Sequence, residues 1–160
     1  MLGIKLICVG KMREKYMTAA FEEYQKRLGA FCKFQLIEPT EVKVSENPSP
    51  KELEAALEKE SAEILKQIDN GTYVVAMCVE GKQKSSEELA ELLHTCALTG
   101  KSKLCFVIGG SFGLHEQVKQ RADLRLSMSK MTFPHHLARV MLAEQIYRAF
   151  TINEGSRYHK

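Results

Sequence analysis

Lys103-Leu104-Cys105-Phe106-Val107-Ile108-Gly109-Gly110-Ser111-Phe112-Gly113 is an apolar run that passes straight into a glycine-rich loop. Apolar side chains on both faces predict a strand buried in the middle of a parallel sheet. Tyr73–Val79 reads the same way, and shorter runs at Lys5–Val9, Lys33–Glu38 and Leu124–Ser127 supply three more strands. Helical patterns separate them. From Arg13 to Leu28 the residues Tyr16, Met17, Ala20, Phe21, Tyr24 and Leu28 share one face, and Gly29 closes it. Ser49-Pro50-Lys51-Glu52 predicts a capped helix start, with Glu52 completing a capping box, for a helix reaching about Ile68. Ser85-Ser86-Glu87-Glu88 opens a third helix that Gly100 ends. A short helix around His115–Gln120 and a final one from Pro134 to about Phe150 follow. Glu41–Ser49 and Met128–Phe133 read as loops and Asn153–Lys160 as a polar tail. Strand and helix alternate throughout, which predicts one α/β domain over residues 1–160, a parallel sheet flanked by helices.

Composition narrows the class. With 44% hydrophobic and 27% charged residues, a disordered or collagen-like chain is excluded. No apolar stretch approaches the roughly 20 residues of a membrane span. The start is broken by Lys5 and Gly10 too soon for a signal peptide, so a cytoplasmic protein with no membrane partner is expected. Five cysteines, none in a C-x-x-C pair, fit reduced thiols better than a disulfide framework or a zinc site. Net charge is −1 over residues 1–70 but +4 over 71–160, and residues 119–160 hold eight Lys/Arg against three acids. A positive field gathered near one end suits a polyanionic partner such as RNA, and it also fits ordinary surface charge.

Ligands of open parallel sheets bind outside the carboxyl ends of the strands. Three such ends carry unusual segments here, Glu80-Gly81-Lys82, Gly109–Gly113 and Met128–Phe133, and they are expected to converge as loops on one edge. The glycines permit close backbone approach to a ligand, or simply a tight strand-to-helix turn. Neither the dinucleotide fingerprint nor the P-loop spacing is met. His135 and His136 point about 100° apart on a helix, so they cannot share a metal, and a structural role at the helix terminus is expected of both. Ser111 has no base and acid arranged with it as a hydrolase would need.

Leu137–Phe150 is apolar nearly all round, which predicts a helix buried on most sides and a second subunit covering part of it. Among its exceptions, Arg139, Glu144, Gln145 and Arg148, ion pairing within the helix or across a dimer is expected. Tyr158 beside His159 in a basic tail offers stacking and proton transfer of the kind a nucleobase site uses, though a frayed end is the ordinary reading of such a tail.

Several ordered motifs resemble a known family. Phe106-Val107-Ile108-Gly109-Gly110-Ser111-Phe112-Gly113-Leu114, Ser127-Met128-Ser129-Lys130-Met131-Thr132-Phe133-Pro134-His135, Glu144-Gln145-Ile146-Tyr147-Arg148-Ala149-Phe150 and the terminal Tyr158-His159-Lys160 are similar to the ribosomal RNA large subunit methyltransferase H family of the SPOUT class. The resemblance runs from Val9-Gly10-Lys11 to Lys160. It implies a C-terminal trefoil knot, a homodimer, S-adenosylmethionine as cofactor and no metal. The implied substrate is a pseudouridine of 23S rRNA, methylated at N3 in the assembled 70S ribosome. The family's cofactor contacts fall on Met77, Gly109, Met128, Ser129, Lys130, Met131, Thr132 and Phe133. Met77-Cys78 stands where the family more often has Leu followed by Asp.

The methyl donor is already electrophilic, so positioning is the protein's main task, worth up to about 7–11 kcal/mol. The N3 proton must leave, which makes His159 the candidate base and Tyr158 its positioning or stacking partner, reaching the site from the other subunit. Arg139, Arg148, Arg157 and Lys160 are the expected contacts to phosphate or the base anion. A SPOUT enzyme acting on tRNA and a non-enzymatic ribosome-binding α/β module are the other readings.

Overall fold

Along the central strands, successive side chains enter two different cores. Leu104, Phe106 and Ile108 point into one, while Cys105 and Val107 point into the other. Ile4, Leu6 and Cys8 alternate in the same way with Ile7 and Val9. This period of two on a sheet covered on both faces produces the continuous apolar runs of the sequence.

The computed structural model describes residues 1–160. The elements are β1 (Gly3–Cys8), α1 (Lys15–Leu28), β2 (Lys33–Ile37), α2 (Pro50–Lys66), β3 (Tyr73–Gln83), α3 (Ser86–Leu98), β4 (Lys103–Ile108), α4 (Glu116–Arg121), β5 (Leu124–Ser127) and α5 (His135–Asn153). All strand pairs are parallel, in the order β2-β1-β4-β3-β5. α1, α3 and α5 pack on one face through Phe21, Leu28, Leu93, Leu142 and Ile146. α2 and α4 cover the other face through Ile64 and Val118. The expected α/β architecture is therefore the observed one, and no helix is long and apolar enough to cross a membrane.

Helix starts follow their caps. At α3 the Ser85 hydroxyl accepts from the Glu88 amide at 3.1 Å, and the Glu88 carboxylate accepts from the Ser85 amide at 2.9 Å, a complete capping box. At α2 Ser49 caps as expected, but the Glu52 carboxylate accepts from the amide and hydroxyl of Ser45 instead. The box predicted there is thus replaced by a tether to the preceding loop.

The segment Glu80-Gly81-Lys82 is also not a loop. β3 runs on to Gln83, and its register against β5 breaks between Met77 and Lys82. Past the bulge, Lys82 and Gln83 pair again with Leu126 and Ser127. Gly81 makes this possible, because a Cβ there would lie 2.7–2.8 Å from the Arg125 and Leu126 backbone. The bulge pushes Cys78, Val79 and Glu80 out of the regular ladder at the carboxyl end of the sheet.

Candidate methyl-transfer site

The carboxyl ends of β3, β4 and β5 enclose a cavity of about 810 Å³. Met77, Cys78, Val79 and Glu80 come from the β3 bulge, Gly109–Gly113 from the loop after β4, and Met128, Ser129, Met131, Thr132 and Phe133 from the loop after β5. The convergence expected of three strand ends is present, with the bulge in place of one loop. Lys130 belongs to the same loop as its neighbours but does not line the cavity. The wall also takes Ser127, Lys119, His135 and Ala138, which the sequence did not single out for this site. A smaller cavity of about 270 Å³ lies at the opposite, amino ends of the strands.

The loop after β5 is set by its own hydrogen bonds. The Ser127 hydroxyl donates to the Ser129 carbonyl at 2.9 Å, and the Met131 amide donates to the Ser129 hydroxyl at 3.0 Å. Such local side-chain bonds fix a loop before a ligand arrives. The glycine loop is set by packing. A Cβ on Gly109 would collide with the Gly113 backbone, so this residue must be glycine for the turn to close. Gly113 has φ +81°, the left-handed region that glycine favours.

The lining combines thioethers and an aromatic ring (Met77, Met128, Phe133) with hydroxyls (Ser127, Ser129, Thr132) and exposed loop backbone. That donor set and volume fit a nucleoside carrying a polar amino-acid tail, within the ordinary range for small-molecule sites. No group of three or more His, Cys, Asp or Glu side chains is arranged to hold a metal ion. The Cys78 thiol is pushed up, first by burial and then by the nearby Glu80 carboxylate. His135, at the first turn of α5, is held below the ordinary imidazole value by burial and by His136 beside it.

Arg139 does not present its charge to a ligand. It is fully buried, with Nη1 donating to Glu38 Oε2 at 2.6 Å and Nη2 to the Gly10 carbonyl at 2.9 Å. The expectation of a phosphate contact is corrected: a guanidinium with no solvent exposure, its two Nη atoms already taken by Glu38 and the Gly10 carbonyl, ties α5 to the ends of β1 and β2.

The tail lies on its own chain, away from the cavity wall. The Tyr158 hydroxyl donates to Glu144 Oε1 at 3.2 Å, and its ring packs edge-on against Tyr147 at 4.8 Å. Arg148 donates from Nε to Glu144 at 2.9 Å and stacks 4.9 Å over the Tyr158 ring. It also donates to His159 Nδ1 at 3.2 Å, which leaves Nε2–H of His159 to donate to Glu87 at 2.7 Å. Arg148 and Glu144 therefore form the intra-helix pair expected of α5. Arg157 and Lys160 are exposed. Within one chain, Tyr158 and His159 are thus not brought to the residues that line the cavity.

A second groove of about 510 Å³ runs between α3 and α5 and shares Met77, Leu126, Ser127, Met128 and Phe133 with the cavity. Its outer rim is Val140, Met141, Glu144 and Gln145 of α5. Leu137, Val140 and Met141 remain only partly covered within the chain.

Solved structures share the fold. A probable methylase family protein from Haemophilus influenzae Rd KW20 superposes with a TM-score of 0.56 at 14% identity, covering 100% of this chain and 72% of that one. A probable methyltransferase from Bordetella pertussis Tohama I gives 0.56 at 12%, covering 93% and 95%. Among sequences, the proteins named ribosomal RNA large subunit methyltransferase H from Clostridioides difficile (strain 630) and Clostridium botulinum (strain Okra) are 48% and 52% identical over 159 residues, 99% of this chain and 100% of each relative. The family described as predicted SPOUT methyltransferase matches residues 2–159. The chain belongs to the SPOUT methyltransferases and, within them, to the ribosomal RNA large subunit methyltransferase H family.

Proposed function

We infer that this protein transfers a methyl group from S-adenosylmethionine to ribosomal RNA, at N3 of a pseudouridine in 23S rRNA of the assembled 70S ribosome. The observation that carries this reading is the cavity at the carboxyl ends of β3–β5, with its preset Ser127–Phe133 loop, in a chain matched along its length by this family. Bound S-adenosylmethionine supplies an electrophilic methyl group. Met77, Met128 and Phe133 offer apolar surface for its adenine, and Gly109, Ser129 and Thr132 offer backbone and hydroxyl partners for its polar parts. Lys130 and Met131 complete the loop that holds it.

Methylation at N3 replaces a proton, so a base must accept one as the new bond forms. His159 is the residue for this role, with Tyr158 beside it to orient or stack on the base. Burial, with help from neighbouring Tyr24 and Glu144, pushes the Tyr158 phenol up to about 12, so at neutral pH it donates a hydrogen bond and does not act as the base. Both belong to a tail that lies off the cavity of its own chain. A homodimer through the part-covered apolar face of α5 is therefore the arrangement that delivers the tail of one subunit to the cavity of the other. Arg157 and Lys160 are the exposed cations left for the RNA once Arg139 is committed to Glu38 and Arg148 to Glu144 and His159. The trefoil knot of the SPOUT class belongs to the same reading.

The test is transfer of label from radiolabelled S-adenosylmethionine to 70S ribosomes, separate subunits, naked 23S rRNA or tRNA, with His159→Ala alongside. Label in 23S rRNA of 70S particles, lost in His159→Ala, is the expected result. Label on tRNA alone would redirect the substrate, label retained by the variant would remove His159 as base, and failure to bind the cofactor would end the methyltransferase reading.

A further inference from the structure

Large apolar side chains left in solvent are few on this chain, and they are not scattered. Six are half exposed or more: Met1, Tyr16, Val79, Leu98, Phe112 and Met131. Three of these, Val79, Phe112 and Met131, line the large cavity, and each comes from a different strand end. A concentration of unburied apolar surface at one opening marks a contact surface.

The backbone beneath Phe112 holds the ring outward. Gly110 and Gly113 form an isolated antiparallel bridge, and the Gly113 amide donates to the Gly110 carbonyl at 3.1 Å. The Ser111 hydroxyl donates to Glu41 Oε1 at 3.4 Å. The Glu41 carboxylate also backs Gly110, where a Cβ would meet it at 3.2 Å. The turn is thus tied at its two ends and at its first corner, and Phe112 at the second corner stays 50% exposed.

Charge points the same way. Lys119 is the only Lys or Arg in the cavity wall, and it is bonded to Glu80 at 2.5 Å. The cavity wall itself therefore offers a polynucleotide no free cation for a phosphate, the exposed Lys130 of the loop after β5 standing outside the lining, but it does offer an aromatic face and a thioether. Every nucleobase has a π face, and stacking on aromatic side chains is the usual way that unpaired bases are held.

We propose that Phe112, assisted by Met131, is the platform on which a base of the RNA substrate stacks as it enters the cavity. The proposal rests on the RNA methyltransferase reading and deepens it by assigning the side chain that first grips the base. Phe112→Ala, Phe112→Leu and Phe112→Tyr in the full-length protein separate the possibilities. Three quantities are read for each variant: 70S binding by sedimentation, S-adenosylmethionine binding by calorimetry, and oligomeric state by light scattering.

Phe112→Ala should weaken ribosome binding by about 5- to 150-fold, the equivalent of one base stacked on an aromatic ring. Phe112→Tyr should bind like the parent, Phe112→Leu in between, and cofactor affinity and oligomeric state should not change. Ribosome binding by Phe112→Ala equal to the parent's would overturn the proposal. So would a loss confined to cofactor binding, which would make the ring a cofactor wall, or a shift in oligomeric state, which would make it a contact between copies. If the parent binds ribosomes in a Phe112-dependent way but transfers no methyl group, the functional reading fails while the base platform stands.

Discussion

Arg139 and Glu38 form an ion pair at 2.6 Å in which the guanidinium side chain is 1% exposed and the carboxylate side chain 27%. The second Nη donates to the Gly10 carbonyl, and Nε alone lacks a partner. A charge this deep is tolerated only because its partner is fixed, so removing one member leaves the other uncompensated.

Arg139→Met should therefore lower stability by about 3–5 kcal/mol. For a domain of this size that corresponds to a fall in Tm of roughly 6–20 °C. Replacing Glu38 by Met in the same chain should recover part of the loss, because two apolar side chains in place of a buried pair are often neutral. Thermal unfolding of the single and double variants decides it, and a fall under about 2 °C for Arg139→Met would show the pair to be dispensable.

Gly109 and Gly113 should respond very differently to alanine. A Cβ at Gly109 runs into the Gly113 backbone, so the turn must open and the cavity with it. Cofactor affinity should drop by at least about tenfold and stability by about 1–3 kcal/mol. At Gly113 nothing lies within 4 Å of an added Cβ, and only its φ of +81° is unfavourable. That substitution should cost about 1 kcal/mol and spare much of the binding. Calorimetry with S-adenosylmethionine on both variants gives the comparison, and equal losses would refute it.

How much of this was legible beforehand differs from part to part. β4 and β5 have the ends that the apolar runs gave them, and the α3 cap was written in Ser85 and Glu88. These are decisions taken over a few neighbouring residues. The loops after β4 and β5 are equally readable as walls of a site, since both follow the carboxyl ends of strands in a parallel sheet. The third wall reads as a loop because polar Glu80-Gly81-Lys82-Gln83 ends the apolar run, whereas a bulge at Met77/Lys82 and one glycine carry the strand on past it. Arg139 could be known to need a partner, but Glu38 lies 101 residues away and only the packing of α5 names it. His135 reached the cavity wall by the same route. The place of the tail depended on Glu87 and Glu144, for which nothing local gives a signal.

Thiol chemistry should report on the cavity. Burial pushes Cys8, Cys32 and Cys105 up to about 12, so almost no thiolate, the reactive form, is present at neutral pH. Cys96 is buried and raised as well, whereas Cys78 is only partly covered and lines the cavity. Mass spectrometry after brief alkylation should find Cys78 labelled, slowly and faster as pH rises, with the other four reacting only on unfolding. Saturating S-adenosylmethionine, at about 100 times its Kd, should slow Cys78 by an order of magnitude or more. An unchanged rate would place the cofactor elsewhere.

His135 should make the protein acid-sensitive. Its imidazole is held below the ordinary value by burial first and then by His136 and Arg139, with Glu41 and Glu14 opposing. Below about pH 6.5 the unfolded chain takes up a proton that the folded site resists, so this group lowers stability as pH falls. Above that pH both states are neutral there and the effect vanishes. Urea midpoints between pH 5 and 7.5 should fall less steeply for His135→Gln than for the parent, and parallel curves would assign the acid sensitivity to other groups.

The pair that locks Arg139 to Glu38 and Gly10 also has a consequence for timing. Its members are separated by 101 and 129 residues, and β1 waits for β4 in the same way. At about 5–20 residues per second, Gly10 is synthesised roughly 6–26 s before its partner Arg139. Until residue 108 is made the first apolar strand lacks its parallel neighbour β4, and until residue 139 is made Glu38 lacks its counterion. The native sheet is therefore completed late in the chain's synthesis or after it, by slow long-range closure. Until then, the newborn amino-terminal half is the stage at which this protein is most open to aggregation and most in need of a chaperone.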